Sequence, residues 1–308
     1  VVSEEETTEE EVVAEEESST EEVVAEEETT EEEVVEETEE EIAINVEDAY
    51  KITKTEVFEK LSGRKGTEVN VTIGRIGLSK PFDVTIIRDN IPIYSVGAAT
   101  MIDEKTGYIF LRRFSATTEK EVVKAIDTLL SQGMERLLFD LRGNSGGLLE
   151  QAAAISNQFI TTADTLVYTQ GKIKESNQVF IGNPAKGNKS YSLIVMINRG
   201  SASASEIVSG AVQDLDRGLV LGETSFGKGL VQRQLPLNTG AAIRVTIARY
   251  YTPSGRLIQR PYEDESDLAY YRELYATDRE SKIDSLKELR PKYKTKSGRT
   301  VYGGGGIT

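Results

Sequence analysis

The sequence predicts an α/β fold with a layer of parallel strands, and three observations predict it. Residues 107–112, 118–132 and 136–141 run strand, amphipathic helix, buried-type strand, the order of a parallel crossover. The 136–141 strand then feeds a Gly-rich loop and a helix over 148–160. A strand at 193–198 feeds a run of small residues and a helix over 203–216, ended by Gly218.

Taken in order, residues 1–41 stand apart. They use only Val, Ala, Ser, Thr and Glu, and a Val-Val pair recurs every 11 residues, from Val1, Val12, Val23 and Val34. Such a period can specify a right-handed supercoil, but two apolar residues per repeat make too thin a seam. A solvated acidic leader is a second reading. The third, which is favoured, is that this five-letter stretch does not represent the natural sequence and stands where the first half of a domain belongs. Setting its 22 glutamates aside leaves 30 acidic against 36 basic residues, so the formal charge of −16 becomes about +6 for the remainder. That charge is diffuse, with no basic stripe and interleaved aromatics, and gives no case for nucleic acid.

Residues 42–94 have ordinary composition. A helix is expected over 55–61, closed by Ser62 and Gly63, then strands over 68–73 and 82–88 with Gly77 in the turn. Val69, Val71 and Ile73 share one face of the first of these strands. In the 118–132 helix Thr118 is the expected N-cap, Glu121 completes a capping box, and Gly133 follows the C-terminus. Val122, Ile126, Leu129 and Leu130 form its apolar stripe. Further strands are expected at 166–169, 219–221, 230–235 and 242–250, with a hairpin or exposed loop over 170–189. Residues 263–290 suit exposed helices, and the four-glycine run after Tyr302 reads as a loop or frayed terminus.

The chain has no histidine and no cysteine. That excludes a Ser-His-Asp triad, a Cys-His pair and nearly all zinc chemistry, and no metal or cofactor is expected. No apolar run reaches about 18 residues, so no membrane-spanning helix is expected. No leader peptide is visible, which reads as a cytoplasmic or an already processed chain. A hydroxyl nucleophile then needs a base other than imidazole, and lysine is an established alternative. Ser201, Ser203 and Ser205 alternate with alanines at the expected helix start. Lys228 follows between two glycines, and Gln232 comes four residues later. Each has a bland reading: close packing and capping for the serines, a solvated loop for the lysine, a strand surface for the glutamine. The 142–147 loop is likewise either a turn needing positive φ or an anion site; no P-loop Lys-Ser/Thr pair or G-x-G-x-x-G supports phosphate binding.

Three motifs occur in order: D-L-R-G-N-S-G-G over 140–147, G-S-A-S-A-S-E-I over 200–207, and G-E-T-S-F-G-K-G over 222–229. Jointly they resemble the motifs of the carboxyl-terminal processing peptidases, also called tail-specific proteases. The G-R-K-G-T-E-V-N-V-T-I segment over 63–73 is similar to the second half of a PDZ domain. The resemblance covers about residues 42–260. It implies a PDZ-like half over 42–94, a ClpP/crotonase-like α/β peptidase core over 95–262, and a charged, truncated extension over 263–308.

It further implies Ser203 as nucleophile, Lys228 as general base and Gln232 as its support. The implied oxyanion hole pairs Gly146, or Gly147, with the N–H of Ala204; Glu206 and Asp214 take supporting roles. Substrates would be proteins or peptides bound by their C-terminal tails, in the periplasm or bacterial cell envelope; a homo-oligomer is compatible with the sequence. A lysine can serve as base only if burial lowers its pKa from about 10.4. A neutral glutamine orients the amine without stabilising its charged form. Two departures stand out: the front half of the PDZ domain is unreadable, and the chain stops where the family continues. A crotonase-like acyl-thioester enzyme and a catalytically silent tail-binding module are the competing readings.

Overall fold

The computed structural model describes residues 42–44, 47–49, 51–75, 77–91, 93–186, 191–261 and 267–308. The 11-residue repeat therefore lies outside the described residues. The described chain forms two compact units, one ending at Ile91 and one following it.

The first unit is a four-stranded antiparallel sheet with one helix: β1 (Ile42–Ile44), β2 (Glu47–Asp48), α1 (Lys54–Leu61), β3 (Glu68–Ile73) and β4 (Phe82–Ile87), in the order β2-β1-β3-β4. Alternation in β3 buries Val69 and Val71 against Ala49, with Ile52, Leu61 and Ile73 around them. The helix begins at a capping box that sequence reading overlooked. Glu56 N–H donates to Thr53 Oγ1 at 3.3 Å, and Thr53 N–H to the Glu56 carboxylate at 2.8 Å.

The second unit opens with β5 (Val96–Met101), β6 (Thr106–Leu111), α2 (Thr118–Ser131), β7 (Arg136–Asp140) and α3 (Leu149–Phe159). It continues through β8 (Thr165–Gln170), β9 (Val179–Ile181), β10 (Ser192–Ile197), α4 (Ala204–Asp214) and β11 (Leu219–Gly222). Five of these strands form one sheet in the order β11-β10-β7-β6-β5. The β6–β7, β7–β10 and β10–β11 pairs are parallel, as the alternation of strands and helices predicts, and β5 is an antiparallel edge. The central strands bury Ile109, Leu111, Phe139 and Val195 completely, and α2, α3 and α4 cover them with Val122, Ile155 and Val208. Register matters for the site: Met196 of β10 lies opposite Asp140 of β7, so the loops leaving the two carboxyl ends emerge side by side. In open parallel sheets such a crevice is where ligands sit.

A second sheet, β12-β13-β8-β9, adds β12 (Leu230–Pro236) and β13 (Ala242–Tyr251), all antiparallel. The chain then forms α5 (Asp267–Leu274), α6 (Arg279–Leu286), β14 (Lys292–Lys294) and β15 (Thr300–Tyr302). No helix among the described residues is long and apolar enough to cross a membrane.

Three expectations are corrected. Thr118 is the first helical residue of α2, not its cap: its Oγ1 accepts from Ser115 N–H at 2.7 Å. Glu121 instead accepts the N–H groups of Ser95 and Val96 at 2.8 and 3.0 Å, bracing the edge strand β5. The helices after residue 263 are not simply exposed, since Tyr270, Leu274, Arg279 and Ile283 are buried. Nor is the glycine run frayed: Gly304 and Gly306 donate to Leu257 O and Ile258 O at 2.7 and 2.9 Å, and Ile307 is fully buried. At Gly306 glycine is required, because a Cβ there would lie 2.8 Å from Ser225 O.

Candidate active site

The loop after β7 and the loop before α4 interlock through Asn144. This residue is fully buried, and its side-chain amide donates to Leu111 O at 2.8 Å. Its own carbonyl accepts from Ala202 N–H at 3.0 Å and Ser205 Oγ at 2.8 Å. Ser201 Oγ donates to Leu141 O at 2.7 Å. Two of the three alternating serines are thus fully buried and bound to main-chain carbonyls of the glycine loop. Only Ser203 is half-buried and lines an open cleft. Its backbone has φ 55° and ψ −112°, a region non-glycine residues seldom occupy and one enriched at functional sites.

The glycine loop reaches the same point. Gly146 has φ +101°, and a Cβ there would sit 2.7 Å from Ala202 O and 2.9 Å from Ser203 Cβ. Its N–H, expected as an oxyanion donor, is engaged by Asn144 Oδ1 at 2.9 Å. Among the described residues Gly147 N–H and Ala204 N–H have no acceptor, and Ala204 sits at the positive end of α4. The donor pair left available is therefore Gly147 with Ala204.

Glu206 gathers the rest. It is fully buried one turn into α4, and its two oxygens accept from four donors. Oε2 takes Ser203 N–H at 2.8 Å and Lys228 N–H at 2.9 Å; Oε1 takes Gly227 N–H at 2.7 Å and Ser225 Oγ at 2.5 Å. Burial pushes its pKa up, and the four donors pull it back. A second bridge comes from β13. The Tyr250 hydroxyl lies 2.6 Å from Lys228 O and 3.1 Å from Ser203 O, and burial keeps it protonated. The segments carrying Ser203 and Lys228 therefore share both a carboxylate and a phenol.

Lys228 itself is half-buried. Its pKa is lowered, first by burial and then by Arg244, with Glu206 opposing. No direct hydrogen bond joins Lys228 Nζ to Ser203 Oγ among the described residues. Gln232 follows a bulge at Val231/Gln232 in β12 and is exposed on the cleft wall, without a hydrogen bond to Lys228 among the described residues. The cleft has a volume of about 340 Å³ and combines Ser203, Gly147 and Gln232 with apolar Leu148, Ile207, Leu230 and Ile247. Lys228 is not among its lining residues.

Residues 105–265, just over half of the chain, match peptidase family S41. The chain belongs to this family. Relatives of this S41 chain include the carboxy-terminal-processing protease of Bartonella bacilliformis, 38% identical over 67% of this chain and 48% of the relative. The carboxyl-terminal-processing protease of Picosynechococcus is 37% identical over 69% of this chain and 51% of the relative. The carboxy-terminal processing protease CtpA of Bacillus subtilis is 33% identical over 71% and 46%. The chain thus spans about half the length of the curated relatives it matches. Among solved structures, the photosystem II D1 C-terminal processing protease aligns over 78% of this chain and 68% of that chain, with 26% identity and a TM-score of 0.47.

Asp214 sits at the other end of α4 from Ser203 and serves a different purpose. Its carboxylate holds Arg256 at 2.7 Å, both side chains fully buried, and also accepts from Thr252 and Ser254. Asp214→Ala would strand a buried guanidinium, and breaking such a pair costs roughly 3–5 kcal/mol. The expected result is a marked fall in the urea midpoint, while the kcat of the fraction still folded, measured by active-site titration, stays within about tenfold of wild type.

The sequence did not disclose Asn144, Ser225 or Tyr250. Asn144 and Ser225 fall inside quoted motifs and Tyr250 in none, but what each does is not legible locally, because it acts through residues distant in the chain, such as Tyr250 with Ser203 and Ser225 with Ile307.

Proposed function

We propose that this chain is the catalytic portion of a serine endopeptidase that processes proteins at their C-termini, with Ser203 as nucleophile and Lys228 as general base. The observation that carries this reading is the shared Glu206 carboxylate, which binds the main-chain N–H of both residues while only Ser203 of the three serines faces the cleft. Neutral Lys228 takes the Ser203 hydroxyl proton as Oγ attacks the scissile carbonyl carbon. The resulting oxyanion is met by the N–H groups of Gly147 and Ala204; one such donor is typically worth about 100- to 1000-fold in rate. The Lys228 ammonium then protonates the departing amine, and water hydrolyses the acyl-serine by the reverse proton path. In this reading substrate entry brings Nζ to Oγ.

The antiparallel sheet and helix of the first unit support a PDZ-like reading, in which a peptide tail adds to a sheet edge. The relatives' names support the C-terminal processing class, and a bacterial envelope location is proposed with it from the family resemblance. Mass spectrometry of an unfolded polypeptide incubated with the protein tests the reading. Expected products are cut near the C-terminus, together with an acyl adduct mapped to Ser203. Cleavage that persists with an adduct on another residue would overturn it.

A further inference from the structure

The loop between β11 and β12 that carries Lys228 has no regular secondary structure, so its position depends on what it docks against. At its centre Ser225 is fully buried and meets residues 303–307 in a reciprocal bridge. Ser225 N–H donates to Ile307 O at 3.0 Å, and Ile307 N–H donates to Ser225 Oγ at 2.7 Å. Accepting from Ile307 fixes the orientation of the Ser225 hydroxyl, whose proton then points to Glu206 Oε1 at 2.5 Å. Glu206 in turn holds the N–H groups of Ser203, Gly227 and Lys228.

The approach is built, not incidental. Gly306 has φ +84°, and a Cβ there would lie 2.8 Å from both Ser225 O and Ser225 Oγ. A Cβ on Gly227 would lie 3.2 Å from Gly306 N. Ile307 closes the seam from below: its side chain is fully buried in the main core, and its Cδ1 would be 3.3 Å from a Cβ on Gly210 of α4. The same segment therefore touches both the helix that presents the nucleophile and the loop that presents the base.

We propose that Ser225 and Ile307 are positioning residues of the catalytic site: the main chain of Ile307 sets the Ser225 hydroxyl, which sets the Glu206 carboxylate, which aligns Ser203 with Lys228. This inference rests on the Ser203–Lys228 reading above. Ile307→Pro deletes the N–H and keeps a buried apolar group; Ser225→Ala deletes the hydroxyl. Each is expected to lower kcat roughly 10- to 100-fold, the scale of a small misplacement, with KM within about twofold.

The rising limb of the kcat profile is expected to move to higher pH, since a loosened loop hydrates Lys228, which faces Glu206 of α4 and Arg244 and Tyr250 of β13. The double variant is expected to be no slower than Ser225→Ala, because both changes break one relay. Ile307→Val, which retains the N–H, is expected to restore kcat to within about threefold of wild type.

A folded Ile307→Pro protein with unaltered kcat and pH limb would overturn the proposal, and so would fully additive losses in the double variant. If Ile307→Pro does not fold, Ser225→Ala decides, and an unchanged kcat rejects the relay. Failure of the underlying reading has a different signature, namely wild-type protein that shows no Ser203-dependent cleavage at all.

Discussion

Ser203→Ala is expected to lower kcat by roughly 10⁴- to 10⁶-fold while leaving Tm within a few degrees of wild type, the scale seen when a serine nucleophile is removed. The two halves of that expectation have separate causes. The hydroxyl is lost from the cleft, so no covalent acyl intermediate can form and only the bound, polarised substrate remains. The fold is little affected: the side chain lends at most a local cap to α4, and the ties of residue 203 to the rest of the site use its main chain. Its N–H donates to Glu206 and its carbonyl accepts from Tyr250. Alanine at φ 55° is no more strained than serine. Ser201→Ala and Ser205→Ala are the informative contrasts. Each removes a buried hydroxyl donor from a main-chain carbonyl, Leu141 O or Asn144 O, that keeps a second N–H donor, so stability falls by about 0.5–1.5 kcal/mol for either change. Single-turnover kinetics with thermal unfolding checks both halves. Ser203→Ala protein retaining wild-type turnover would reject the nucleophile.

The local alternation that predicts β6, α2, β7, α3, β10 and α4 is legible because each element repeats its own period within a dozen residues. What packs against what is not legible at that range. Glu121 fits a capping box by spacing, yet its carboxylate goes to β5, because two N–H groups at the start of an edge strand offered a better use of it. The glycine run near residue 304 has the composition of a loose end; only the facing loop shows that it needs Gly306 for close approach.

The site divides in the same way. Spacing singles out Ser203, Lys228 and Gln232, but which glycine N–H remains unengaged depends on the Asn144 side chain. Glu206 is visible in the sequence as an acidic neighbour, whereas its function of joining two distant segments is visible only in three dimensions.

Lys228→Met is expected to cost roughly 10⁴-fold in kcat and, unlike most substitutions at a half-buried position, to raise Tm at neutral pH. The reasoning is electrostatic. Burial and Arg244 both disfavour the ammonium, so the lysine pKa in the folded protein lies below its ordinary value of 10.5. Below the lowered pKa both folded and unfolded states hold the proton, and the folded state carries the full desolvation penalty. Between the lowered pKa and 10.5 the unfolded chain binds more protons than the folded one, so wild-type stability rises with pH across that window.

Methionine has nearly the same shape and no charge, so it removes the penalty, and its advantage over wild type should shrink as pH climbs through the window. The wild-type rate should climb as pH rises through the lowered pKa, because only the neutral amine accepts the Ser203 proton, and level off within the window below 10.5. Lys228→Arg separates charge from shape: guanidinium stays protonated throughout, so activity should be absent at every pH. Parallel Tm and kcat measurements against pH decide the matter. A Met variant less stable than wild type at pH 7, or a wild-type rate still climbing at pH 11, would mean that Lys228 is an ordinary solvated lysine and that some other group takes the proton.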